Sequence, residues 1–216
     1  MPRVSSLDGF SRELDEELTW RKREISDMRR AIGDAEGELR GPLLRAFVPL
    51  LYAHWEGFSQ ASAKKYFSFI TQQRLRVDAL NEHYGNLIFL RRIDALSSAS
   101  SSQDEKLKLI SEIRSAGSLR FSRVHEKLID TGANLNVDRM LRLCQVCGID
   151  PSFVIEKREL IDVRLLKRRN GIAHGEWMTI PYSEIHDLSS EVLALMQNFR
   201  NLLENSIATE SFRVGH

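Results

Sequence analysis

The sequence predicts an all-α fold, and three observations carry the prediction. Apolar residues recur at three- and four-residue steps in long stretches. No stretch holds a sustained apolar–polar alternation of period two. The glycines and serines fall between the periodic stretches more than within them. Short connections then make successive helices antiparallel neighbours in an up-and-down bundle, with additional helices in the middle of the chain.

The first helix is marked by Leu14, Leu18, Ile25, Met28 and Ile32, with Arg21 interrupting the stripe. Gly33, Gly37 and Gly41 loosen the segment after it. A long second helix reads through Leu44, Phe47, Leu51, Trp55, Phe58 and Ser62 toward Tyr66 and Phe69. Pro49 lies inside it and should kink the helix or mark its true start, because proline lacks a donor and crowds the carbonyl four residues back. Segments near 76–96, 104–115 and 121–130 read as helical, and the serine-rich stretch 97–103 as an exposed loop. Val137, Met140, Leu141, Cys144 and Cys147 share one face of a short helix that Gly148 closes. Asp150-Pro151-Ser152 is a turn. The next helix covers about 156–174, and a last one runs through Ile185, Leu188, Val192, Leu195, Phe199 and Leu202.

Bulk composition excludes several classes. The 216 residues are read as a single domain, 1–216, large enough to bury a core without covalent staples. The formal charge of +1 gives no global field toward a polyanion, so nucleic-acid binding must come from a local patch. Two cysteines make no disulfide scaffold and fit a reducing, cytoplasmic setting. No apolar run reaches the length of a membrane span, and the charged N-terminus does not read as a signal peptide. Cys144 and Cys147 form a lone C-x-x-C without further ligands at zinc spacing, so they are read as core. No metal or other cofactor is expected. His83, His125, His186 and His216 have no partner constellation. Arg21-Lys22-Arg23 and Arg29-Arg30 are interspersed with acids and read as solvated faces.

One segment gathers chemistry: Arg168-Arg169-Asn170-Gly171-Ile172-Ala173-His174-Gly175-Glu176. Metal-free cleavage of RNA needs a group to move a proton to or from an oxygen, and a fixed cation to stabilise the added charge at phosphorus. Histidine does the first near neutral pH, and a guanidinium fork matches phosphate oxygens. Asn170 is four residues before His174, on the same helical face, where it would orient the imidazole or hold a phosphate oxygen. Arg169 and His174 are five apart, about 140° around an ideal helix at roughly 100° per residue. They meet only if the helix ends early, if the arginine reaches round, or if two subunits contribute to one cleft. A two-fold dimer would do the last, because an isologous interface repeats the same patch. Arg164, Lys167 and Arg168 crowd the preceding turns, more cations than a helix-end dipole accounts for, and are candidate RNA contacts. Glu56 lies off the apolar stripe of the second helix. It reads as a solvated or salt-bridged carboxylate, or as a supporting group at the site.

Arg169-Asn170-Gly171-Ile172-Ala173-His174 resembles the R-x4–6-H motif of the HEPN superfamily, in which a polar residue comes after the arginine. Arg168 also satisfies the spacing, and Asn170 favours Arg169. With Leu51-Tyr52-Ala53-His54-Trp55-Glu56-Gly57-Phe58 on an early helix, the chain resembles the MAE_28990/MAE_18760-like HEPN nucleases over roughly residues 10–205. The resemblance implies a dimerising helical bundle and a metal-independent endoribonuclease, a toxin or anti-phage defence effector with Arg169 and His174 as its catalytic pair. It also implies an RNA substrate with a 2′-hydroxyl and a separately encoded antitoxin or defence partner. A non-catalytic HEPN-like module that binds RNA, nucleotide or a partner is the alternative, and a purely structural helical adaptor a third reading. The segment 76–135 is the least alignable part and the place for an insertion.

Overall fold

A computed structural model describes residues 6–96, 102–132 and 134–215, with the side chain of Arg91 excepted. The architecture is helical, and the only strand-like pairings among the described residues are two isolated bridges, Arg76 with Arg120 and Leu80 with Arg213.

Three long helices make the frame: α1 (Leu7–Asp34), α2 (Arg40–Gln72) and, at the other end of the chain, α9 (Ile185–Ala208). Each packs on the other two. Helix α1 starts where Ser6 accepts a hydrogen bond from the Gly9 amide (3.2 Å), with Asp8 in the first turn where the helix dipole favours an acid. All eight apolar-stripe residues expected in α2, from Leu44 to Phe69, are buried, and the helix begins at Arg40. Pro49 therefore lies well inside it and does not mark its start. Full burial of side chains such as Trp55, Phe58 and Phe199 contributes about 1.5–3 kcal/mol each.

Arg21 departs from the expected solvated face. It is buried, its guanidinium donates to the Glu17 carboxylate (2.5 Å) and carbonyl (2.7 Å), and it lies 4.2 Å from the centre of the Trp20 ring. The interruption in the α1 stripe is thus filled by a charge whose partners sit within one turn. Lys22 and Arg23 are exposed, as expected.

The middle of the chain holds α3 (Glu82–Leu96), α4 (Gln103–Arg114), a single turn α5 (Glu126–Ile129) and α6 (Val137–Cys147). The helix expected at 121–130 shrinks to α5. Most of the expected loop 97–103 lies outside the described residues, and Ser102 caps α4 through a reciprocal box with Glu105. Helix α6 opens on Asn136, whose side chain accepts from the Arg139 amide (2.9 Å), and closes on Gly148 at φ +65°. A side chain at Gly148 would also meet the Tyr84 hydroxyl at 2.8 Å, so glycine is required twice over. Cys144 and Cys147 are fully buried in this helix's core face. Burial pushes the Cys144 thiol up to about 12, and the Cys147 thiol also well up.

After the turn α7 (Ser152–Ile155), residues Glu159–Lys167 form a π-helical stretch that runs directly into α8 (Arg168–Ala173). The sequence predicts an ordinary α-helix here. Leu160 and Leu165, both buried, are five apart, as are Ile161 and Leu166, and i→i+5 bonding brings such pairs onto one face. The Asp162 carboxylate on this stretch accepts the first amide of α6, Val137 (2.9 Å), which fixes the middle of the chain to the helix carrying the motif.

Candidate active site

Helix α8 ends at Ala173. The His174 amide donates to the Asn170 carbonyl (3.0 Å), Gly175 takes φ +79°, and the Glu176 amide returns to the Gly171 carbonyl (2.9 Å). This is a left-handed C-terminal cap of the kind glycine favours. Of the three ways to reconcile Arg169 with His174, the early helix end is therefore present. His174 sits on the cap, exposed to solvent.

Arg169 engages α2 and the loop before α6. Its Nη1 donates to Asn170 Oδ1 (2.7 Å) and Asn134 Oδ1 (3.0 Å), and its guanidinium lies 4.8 Å from the centre of the Tyr52 ring on α2. Cation–π contact and two amide oxygens hold the guanidinium, and the Glu56 carboxylate interacts with it electrostatically. Asn170 thus spends its oxygen on the arginine and not on the imidazole.

Glu56 lies one turn beyond Tyr52 on α2. Its Oε1 accepts from the Thr131 hydroxyl (3.4 Å). Burial raises its pKa, while the Tyr52 hydroxyl, Arg169, Thr131 and Arg139 act in the opposite sense. Burial pushes the Tyr52 phenol up to about 12, and the nearby Glu56 carboxylate adds to the rise. The Tyr52 oxygen also accepts the buried Leu135 amide. Thr131 is tied to α6 by Arg139, whose Nη1 donates to the Thr131 carbonyl (3.1 Å). That guanidinium occupies the place where a side chain on Gly132 would project, and Gly132 has φ +64°.

The structure therefore brings Glu56, Arg169 and Asn170 together and leaves His174 on the rim. Sequence reasoning missed Asn134, Thr131 and Arg139, which come from the loop and helix preceding the motif by some thirty residues. Tyr52 belonged to the upstream string, but nothing in its spacing marked it as the platform for an arginine. The basic cluster divides. Arg164 Nη1 pairs with Glu191 (2.6 Å) and Arg168 Nη1 with Glu184 (2.8 Å), both partly buried, while Lys167 is exposed and has no ion pair among the described residues.

His54 is buried against the edge of Trp20 (5.3 Å between rings). Its Nε2 is 3.1 Å from a Glu24 carboxylate oxygen, but not along a hydrogen-bond direction, and burial lowers its pKa. It is a core residue of the frame. Among the described residues no group of three or more His, Cys, Asp or Glu side chains could hold a metal ion. No helix among them is long and apolar enough to cross a membrane.

An all-helical frame that presents an arginine cradled by polar groups, with a histidine on the adjoining helix cap, defines a HEPN-type architecture. The model of the MAE_28990-like HEPN family matches residues 10–212, and the chain belongs to that family. No curated protein and no solved structure matches it.

Proposed function

We propose that the chain is a metal-independent endoribonuclease that acts as a toxin or defence effector, with its active site at a homodimer cleft. The observation that carries the reading is the division of labour at the motif. A permanently charged Arg169 is fixed by Tyr52, Asn134 and Asn170, and an exposed His174 is held five residues on by a glycine cap. In the proposed reaction a ribose 2′-oxygen attacks phosphorus and the bond to the 5′-oxygen breaks. The 2′-hydroxyl loses its proton and the 5′-oxygen gains one, leaving a 2′,3′-cyclic phosphate. His174 serves one of these transfers and Arg169 stabilises the charge on the phosphoryl oxygens. Asn170 keeps the arginine in place, and Glu56, one turn along α2 from Tyr52, supports the same cradle.

Within one chain the arginine faces α2 and the histidine faces solvent. A second copy across a two-fold axis would put two of each in one cleft. Lys167 is the RNA contact that its open position supports best. Arg164 and Arg168 would have to exchange Glu191 and Glu184 for phosphate. We read residues 1–216 as one domain in which 76–135 is an insertion, working in the cytoplasm with a separately encoded antitoxin or defence partner.

Purified protein incubated with total RNA in EDTA tests the reading. Cleavage to 2′,3′-cyclic or derived ends is expected, with DNA untouched. His174→Ala and Arg169→Ala should each abolish it while the helical circular dichroism persists. RNA that stays intact across pH and salt would remove the enzyme. The non-catalytic RNA-, nucleotide- or partner-binding module would then stand, and the internal engagement of Arg169 favours it as the second reading.

A further inference from the structure

Trp177 is 82% exposed, the most exposed of the large apolar side chains among the described residues, and it stands three residues beyond His174. It is not on a loose end. The Glu176 amide is bonded to Gly171 on one side of it, and Ile180 is buried on the other. Met178 packs against Gly171, with its Cε 3.2 Å from where a Gly171 side chain would begin. The segment is therefore folded back over α8 and pinned at both ends, with the indole held outward between the pins.

The ring is also backed. The Arg45 guanidinium, from the second turn of α2, lies 4.6 Å from its centre. With one face covered by a cation and most of the side chain exposed, the other face is open. Beside it lies a shallow recess of about 420 Å³ lined by Pro42, Leu44, Arg45, Met178 and Ile180, with Glu38 the one carboxylate on its wall. A chain separation of three residues limits Trp177 to about 10 Å from His174.

An exposed indole leaves on the order of 150–250 Å² of aromatic surface in water, and beyond the Arg45 contact the open face packs against nothing among the described residues. Its chemistry suits an unpaired nucleobase. Every base has a π-face to stack, and the cation behind the indole favours the phosphate that accompanies it. We propose that Trp177, backed by Arg45, is a stacking platform for an unpaired base flanking the scissile phosphate. The proposal rests on the reading of Arg169 and His174 as an RNA site. The specificity it implies is for single-stranded RNA over duplex, because a paired base offers no free face.

The test uses a short 2′-O-methyl oligoadenylate, which lacks the attacking hydroxyl, and its abasic counterpart. Binding is monitored by anisotropy, and by indole emission in a Trp20→Phe background that leaves Trp177 and the buried Trp55. The oligoadenylate should quench the emission. Trp177→Ala should abolish the quench and weaken oligoadenylate binding about 5- to 150-fold, the range for one stacked base at ~1–3 kcal/mol. Trp177→Phe should recover most of the loss, and affinity for the abasic strand should not change. An exposed position makes both variants compatible with folding, which thermal melts check. If Trp177→Ala binds oligoadenylate as wild type does while Lys167→Ala weakens it, the platform is wrong and the RNA site survives. If Trp177→Ala instead turns a dimer into a monomer on sedimentation at unchanged oligoadenylate affinity, the indole belongs to an interface between copies and the platform is overturned. If the wild-type protein binds neither strand, the RNA reading itself fails and the platform falls with it.

Discussion

Removing one oxygen from Tyr52 separates its two tasks. The phenol oxygen accepts the Leu135 amide, and both residues are buried, at 1% and 0% exposure. Tyr52→Phe deletes that acceptor and leaves a buried N–H without a partner, a loss of about 1–3 kcal/mol. For a chain of this size that is a fall in melting temperature of about 2–12 °C, at roughly 2–4 °C per kcal/mol. The ring remains under the Arg169 guanidinium at 4.8 Å, so the arginine keeps its platform. RNA cleavage below the melting transition should stay within a few-fold of wild type. Tyr52→Leu removes the ring as well, and with it a cation–π contribution of about 0.5–2 kcal/mol to holding the arginine. It should cut cleavage by roughly 2- to 30-fold beyond the Phe variant. Paired thermal melts and initial cleavage rates on one RNA measure both effects. Two results would refute the reasoning. A Phe variant as inactive as Arg169→Ala would mean that the hydroxyl takes part in the chemistry. A Phe variant with an unchanged melting temperature would mean that the Leu135 amide is satisfied in another way.

Four further outcomes are expected. Burial holds the folded-state pKa of His54 below its ordinary value of 6.5, so the unfolded chain binds the extra proton first. The stability this contributes is present above that ordinary value and is lost as pH falls through and below it, so His54→Gln should flatten this part of a melting-temperature profile taken between about pH 7.5 and 5. The thiols of Cys144 and Cys147 are buried and resist ionisation, so a thiol reagent should label neither in the folded protein and both after denaturation; fast labelling without denaturant would contradict the buried core of α6. Lys167→Ala should lower the slope of log affinity against log salt for single-stranded RNA by about 0.7, the release from one phosphate contact. Arg164→Ala should mainly lower the melting temperature, because its charge is already spent on Glu191, and a larger salt effect for Arg164 than for Lys167 would reverse that assignment.

Periodicity alone was enough for the frame. The stripes of α1, α2, α6 and α9 are long, and burial of one face is what a three- to four-residue repeat means physically, so these helices were legible from the residues. The motif was legible for the same local reason, while the glycine cap that ends its helix chose among alternatives the sequence left open. Arg21 reads as solvated in the sequence although its partners Glu17 and Trp20 are local, because its burial comes from the α2 face at Gly57 and Phe58, which only the folded structure supplies. The π-helical stretch before α8 left no mark in composition, and the expected helix at 121–130 shrank to one turn.

The sequence by itself determined the helical class, the frame and the R-x4–6-H motif, and left the early end of its helix as one of three alternatives. These depend on residues within a few positions of one another. Tertiary structure alone decided that Arg169 engages Tyr52 and Asn134. It also decided that Glu56 joins that cluster through Thr131, that Arg164 and Arg168 are tied to carboxylates on and just before α9, and that Trp177 stands outward against Arg45. Nearly all of these are contacts between segments tens of residues or more apart. Such contacts are set by how the core closes around α2, and no local pattern encodes them.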